Sequence, residues 1–294
     1  MDPYRHAAER AHQLAWAILA RAALTHRGAV AVLLAAQGPA GAADILAHAT
    51  PDLTVRAGAD ICDANRIGAR LITPEDPEWP RQLTKFDDPD TDRFGPVALW
   101  ARGSGRLNTT GGRSVAVVGA RACTEHGRTA TCEFTTAAAG QGWAIVTGGA
   151  YGVDTAAVEA TLAVDGSAVV VTASGLSHAY PATNRDLFEK VTRRGLLVSE
   201  YPPFDRPTRD RFLHRNRVIA ALGRAGMVVP EAGIRSGTLN AVGWANRLDR
   251  PVFTLPTPTP LAPAWAGCAA MVDDGRARLA ADTGRLLAAL AAEN

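Results

Sequence analysis

The chain changes rhythm part-way along. From about Tyr4 to Ala23 the apolar residues Ala8, Ala11, Leu14, Ala15, Ile18 and Leu19 recur at helical spacing, and Gly28 to Ala36 repeats the habit until Gly38-Pro39 breaks it. Further helices are expected over Ala40 to His48, stopped by Thr50-Pro51, and over Ala59 to Ile67. Short helices separated by Gly and Pro make a small all-α module, which most often serves packing or protein contact. A short strand and a proline-rich turn carrying Trp79 follow from Ala69. A loop is then expected over Lys85 to Gly95, a strand at Val97 to Ala101, and a second loop over Gly103 to Gly112.

From Ser114 the pattern becomes strand and helix in alternation. Ser114-Val-Ala-Val-Val118 is uncharged and β-branched, suited to a strand buried on both faces of a parallel sheet, and it stops at Gly119. Similar runs at 143–147, 167–172, 196–200, 226–231 and 251–255 are separated by helix-length segments. The helices are expected at Thr124 to Ala139, from Asp154 as an N-cap, at Ala182 to Arg194, at Arg215 to Arg224 and at Thr238 to Leu248. This alternation predicts an α/β fold, a Rossmann-like doubly wound parallel sheet preceded by a small all-α N-terminal domain. The expected division is 1–67 helical, 68–258 Rossmann-like, and 259–294 a C-terminal tail. In the tail a proline-rich connector over Pro256 to Pro263 leads to one helix, about Arg276 to Ala292. The ~30 residues after Pro263 are too few to fold as a further domain of typical size.

Composition narrows the picture a little. Among 294 residues, 31 Lys and Arg stand against 29 Asp and Glu, so any polyanion site must come from local clustering. Lys85 and Lys190 are the only lysines, and this Arg-rich, Ala-rich style is also what a GC-rich genome produces. Cys62, Cys123, Cys132 and Cys268 show neither a C-x-x-C pair nor a neighbouring His cluster, so no metal and no disulfide framework is expected. The N-terminus has no basic region followed by an apolar run, and no segment is read as reaching the ~18 apolar residues of a membrane span, so a cytoplasmic protein is expected.

Ligands of open α/β sheets collect at the carboxyl ends of the strands. After the first strand comes Gly119-Ala-Arg121, with arginine where a dinucleotide fingerprint needs its second glycine; Arg121 either pins a phosphate from the side or caps the loop. After the second comes Gly148-Gly149-Ala-Tyr151-Gly152-Val-Asp154, glycines opening a helix, which suits an anion or mere compactness, with Tyr151 able to stack on a base. The third loop supplies His178, Tyr180, Asn184 and Arg185, and His178 has no Ser or Asp at nucleophile spacing. The fourth delivers Arg206, Arg209 and Arg211, then Arg215-Asn216-Arg217 at the expected mouth of a helix, where positive charge runs against the macrodipole unless an anion lies between. The fifth, Glu231 to Thr238, contributes Arg235, Ser236 and Gly237 at another helix start. Three such loops on one rim describe a groove for a phosphodiester backbone better than a pocket for one nucleotide.

These motifs, with Ser199-Glu-Tyr-Pro202, Arg215-Asn-Arg-Val-Ile-Ala-Ala-Leu222 and the entry Gly68-Ala-Arg-Leu-Ile-Thr-Pro, occur in the order found in the DprA/Smf family of DNA-processing proteins, and their style resembles actinobacterial members. The resemblance covers about residues 68 to 256. It implies a binding protein rather than an enzyme, without catalytic residues or cofactors, that holds single-stranded DNA in a basic pocket, forms a homodimer through its Rossmann-like domain and loads RecA in natural transformation and recombination. It also implies a SAM/HhH-like character for the N-terminal helices, and many members carry a C-terminal winged helix, for which the ~30 residues after Pro263 are too few. By motif position Gly119, Arg121, Gly149, Tyr151, Gly152, Asn184, Arg185, Arg215, Asn216, Arg217, Arg235, Ser236 and Gly237 would contact DNA. Tyr151 stands where many relatives carry Arg or Lys. The competing expectation is a nucleotide-processing enzyme similar to the nucleoside-monophosphate phosphoribohydrolases. Those carry Pro-Gly-Gly-x-Gly-Thr and a following glutamate, whereas this chain has Pro230-Glu-Ala-Gly and no Glu over 239–248.

Overall fold

The computed structural model describes residues 3–86, 95–108, 112–257 and 262–293. Most of the predicted 85–95 loop, the tip of the second loop and the middle of the 256–263 connector lie outside them. By contact the chain divides into two compact units, each built from several segments.

The first unit holds Met1–Arg102, Ser174–His178 and Val198–Arg206. Helix α1 (Pro3–Ala49) is interrupted by non-helical backbone at His26 and at Gly38, which has φ 67° just before Pro39, so the three expected helices are present as one broken run. Helix α2 (Pro51–Arg66) starts eight residues earlier than the sequence suggests, because Pro51 opens it at its first turn instead of stopping its predecessor. Trp16, Leu19, Val30, Ala42 and Ala57 form a buried cluster. By length and composition alone one stretch of this broken run, with a mean hydropathy of 1.5, is apolar enough to cross a membrane, where the sequence reading counted no such segment; a buried core helix passes the same test. Strands β1 (Ala69–Ile72) and β2 (Leu99–Arg102) pair antiparallel, and Leu71 and Val97 pack on the helical cluster, which carries the contact boundary past residue 68 to Arg102.

Two short segments from far along the chain complete this unit. The amide of Gly175 donates to Asp205 O, Ser177 N and Oγ both donate to Pro203 O, and Ser199 Oγ donates to Ser174 O. A Cβ on Gly175 would collide with the carbonyls of Pro202 and Pro203. Arg27 pairs with buried Glu200 at 3.3 Å; burial pushes the Glu200 carboxyl above its ordinary range, and Arg27 pulls it back.

The second unit holds the parallel sheet. Strands β3 (Ser114–Val117), β4 (Ala144–Thr147), β5 (Ala168–Val171), β7 (Met227–Val229), β8 (Val252–Thr254) and β9 (Arg278–Leu279) lie in the order β5-β4-β3-β7-β8-β9, each parallel to its neighbour. Strand β6 (Leu196–Ser199) begins in this unit and ends in the other. Every residue of β3, β4 and β5 is buried, as their apolar runs predict. The crossovers are α3 (Glu125–Gly140), α4 (Val153–Ala163), α5 (Arg185–Arg194), α6 (Arg209–Leu222) and α7 (Thr238–Arg247).

The C-terminal segment departs from the expected tail with one helix. It carries α8 (Ala266–Asp273), strand β9 and α9 (Thr283–Ala292), and Leu286, Leu287 and Leu290 sit in the same core as Val115, Phe134 and Ile145. An eight-residue Ala-rich helix and a two-residue strand carry too little periodicity to be seen in sequence.

Candidate functional site

The strand order reverses between β3 and β7. There the loop after β3, the loop after β7 and one face of α6 enclose a cavity of about 980 Å³, all within the second unit. This is the crevice at the carboxyl ends of the strands where open α/β sheets place ligands.

Helix α6 supplies one wall. It begins at Arg209, behind Thr208 in extended backbone and with Asp210 in its first turn, six residues before the predicted start. Arg215-Asn216-Arg217 therefore sit in mid-helix, and the macrodipole argument belongs to Arg209. Arg209, Phe212, Leu213 and Asn216 follow the i, i+3, i+4, i+7 spacing of one helical face and all line the cavity. Arg215 also lines it but is 5% exposed. Its guanidinium donates to Gly148 O at 2.7 Å and to Val171 O, tying together the ends of β4 and β5. Arg217 is 2% exposed, outside the lining, with its Nε 3.4 Å from His214 Nε2.

Arg121, at the end of the β3 loop, lies with its guanidinium 5.1 Å from the Phe212 ring centroid, and Tyr180 packs against the same ring at 5.0 Å, tilted by 56°. Phe212 is the residue the sequence reading missed. Its signal was the face it shares with Arg209, invisible while the helix was taken to start at Arg215. Arg235 and Ser236, from the loop after β7, also line the cavity; Ser236 Oγ donates to Thr238 Oγ1 at 2.8 Å and accepts from Thr238 N. Among the described residues no carboxylate pairs with Arg121, Arg209 or Arg235, and all three are exposed. A rim of exposed guanidinium groups around an aromatic face is equipped for phosphates and for a base.

Of the predicted contacts, Gly119, Arg121, Arg215, Asn216, Arg235, Ser236 and Gly237 meet at this cavity. Gly149, Tyr151, Gly152, Asn184, Arg185 and Arg217 are outside its lining. Tyr151 is 47% exposed. Arg185 opens α5, exposed, and buried Asn184 donates to Gly149 O and Thr155 Oγ1, holding the β4 loop in place. Gly152, at φ 71°, is the N-cap of α4 where Asp154 was expected, and a Cβ there would collide with the carbonyls of Ala120 and Arg121.

Asp154 instead turns back into the glycine loop. Its carboxylate accepts from Ala150 N at 3.2 Å, and the nearby amides of Gly148 and Gly119 also favour its charged form. Burial pushes its carboxyl above the ordinary aspartate range, while the Arg215 charge and those amides pull it down. Amides expected to cradle a phosphate are thus committed to an internal carboxylate. His178, a loop hydrogen-bonder as expected, approaches Phe204 O at 3.0 Å in the first unit. Among the described residues there is no group of three or more His, Cys, Asp or Glu placed to hold a metal.

The model of the DNA recombination-mediator protein A family matches residues 70–291. The chain belongs to that family. It is 39% identical to a DNA processing protein DprA of Mycobacterium tuberculosis, over 89% of this chain and 71% of that one. Its fold matches the X-ray structure of DprA from Streptococcus pneumoniae with a TM-score of 0.74 at 30% identity, covering 92% of this chain and 95% of that one. A second family structure describes the single-stranded DNA binding mode of DNA processing protein A from Helicobacter pylori. It matches at a TM-score of 0.66 and 27% identity, over 75% of this chain and 95% of that one. The match to the family places the chain among DNA-processing recombination mediators.

Proposed function

We propose that the rim of the switch-point cavity binds single-stranded DNA without sequence preference, and that the protein delivers it to a RecA-type recombinase in recombination and natural transformation. It does so in the cytoplasm, as a homodimer through the second unit, and without a catalytic step of its own. The observation that carries this reading is the triplet Arg121, Arg209 and Arg235. Three exposed guanidinium groups without carboxylate partners among the described residues surround a cavity whose wall bears Phe212 and Tyr180. Phosphates repay such charges and an aromatic ring accepts any base, which is the combination a sequence-tolerant single-strand site needs. The Helicobacter pylori relative, whose structure concerns single-stranded DNA, supports the same ligand. The nucleotide-enzyme alternative lacks its glycine pair and its glutamate on α7, and the carboxylates that do line the cavity, Asp154 and Glu231, are buried and bonded to the protein's own backbone amides.

Fluorescence anisotropy with labelled single- and double-stranded oligonucleotides tests the reading. Single-strand binding that weakens with salt and collapses when Arg121, Arg209 and Arg235 are all replaced by alanine is expected. Absence of binding at low salt, or an unchanged triple variant, refutes it.

A further inference from the structure

The start of the first crossover helix is where an open α/β sheet ordinarily receives a nucleotide's phosphates, because free amides and the positive end of the helix point there. In this protein the position is filled from within. Thr124, the N-cap of α3, donates its amide to both carboxylate oxygens of Glu231 at 3.0 and 3.1 Å, and its hydroxyl to Glu231 Oε2 at 2.6 Å. The same hydroxyl accepts from Gly127 N, so one threonine relays the helix end to the carboxylate. Glu231 is completely buried, and a Cβ on Gly127 would collide with its Oε2, so the first turn of α3 is a glycine seat shaped around that acid.

We propose that Glu231 is a specificity-determining residue: its carboxylate stands where a nucleotide phosphate would sit at the start of α3, closing the crevice to mononucleotides and dinucleotides and leaving the rim arginines to the internal phosphates of a polymer. The exclusion follows from the geometry alone, whereas the clause about a polymer rests on the single-strand reading above. Two effects act together. The side chain fills the seat, and its negative charge repels an incoming phosphate in a buried setting where water screens it little. Asp154 repeats the arrangement one turn along, on the amides after β4. The chain thus supplies its own anions at both turns and keeps the guanidinium groups for the ligand.

Isothermal titration of the full chain with inorganic pyrophosphate, and separately with a single-stranded oligonucleotide, tests this in wild type, Glu231→Gln and Glu231→Ala. Glutamine fills the same space but lifts the charge, so the glutamine variant should bind pyrophosphate at the rim no more than about a few-fold more tightly than wild type. Glu231→Ala empties the seat and should gain pyrophosphate affinity by roughly tenfold or more through the freed Thr124 donors. Should the alanine variant be unfolded in plain buffer, recovery of its folded circular-dichroism spectrum on adding pyrophosphate or formate supports the proposal through linkage. Equal pyrophosphate affinity in all three proteins overturns it, as does an unfolded alanine variant that no anion restores. A wild type that ignores the oligonucleotide overturns the polymer clause and leaves the exclusion standing.

Discussion

Two arginines on one helix, Arg209 and Arg215, have opposite employment. Arg209 is exposed at the first turn of α6, faces the cavity and has no carboxylate partner among the described residues. Arg215, less than two turns on, is buried and spends its donors on the backbone carbonyls that end β4 and β5. A guanidinium pinned to the protein's own carbonyls belongs to the scaffold, while one held in water at a cavity mouth is available to a ligand. Counting arginines along a rim therefore overstates a polyanion site; their burial has to be known.

That contrast breaks most visibly at Arg215. Arg215→Ala strips two carbonyls of their donor and Asp154 of its nearby positive charge, and should cost about 3–5 kcal/mol of stability by chemical denaturation. In that variant acidification should restore part of the loss. Asp154 already has a raised folded pKa, and removing Arg215 raises it further, so the native state binds more protons than the unfolded one above the ordinary aspartate pKa. Stability of Arg215→Ala should thus climb as pH falls from neutrality towards that value, and a midpoint that does not rise on mild acidification would refute the assignment.

At the rim, Phe212→Ala removes the ring that Arg121 and Tyr180 share, and should weaken single-strand binding by about 1–3 kcal/mol with little change in its salt slope. Arg121→Ala, Arg209→Ala and Arg235→Ala should each leave stability within about 0.5 kcal/mol. Each should also flatten the plot of log affinity against log salt by roughly 0.7, one phosphate's worth. Last come Tyr151→Ala and Arg185→Ala, both outside the cavity lining, which should shift affinity by less than about 0.5 kcal/mol. A Tyr151 effect larger than that of Phe212 would move the stacking surface to the β4 loop.

Much of this was legible beforehand. The six core strands were found within a residue or two at each end because a buried parallel strand is an unbroken apolar run, and the helix expected over Thr124 to Ala139 lies within a residue of α3 at each end. Helix α6 was misplaced because Arg209-Asp-Arg-Phe-Leu-His is mostly polar, and a turn that faces a cavity instead of a core carries no apolar stripe to betray it. The internal anions were hidden for a different reason. Glu231 lies 107 residues from Thr124 in the chain, and a hydrogen bond across that separation leaves no periodicity.

The two loops knotted together as Ser174–His178 and Val198–Arg206 bear on how the chain comes off the ribosome. The N-terminal helices emerge first, yet Glu200, the partner of Arg27, and the carbonyls that lock Gly175 and Ser177 are synthesised about a hundred residues after β2. A nascent chain ending at Arg102 would expose Arg27 without its counter-ion, so the first unit cannot finish folding until the chain has been made through Arg206, after β3, β4 and β5 of the second unit.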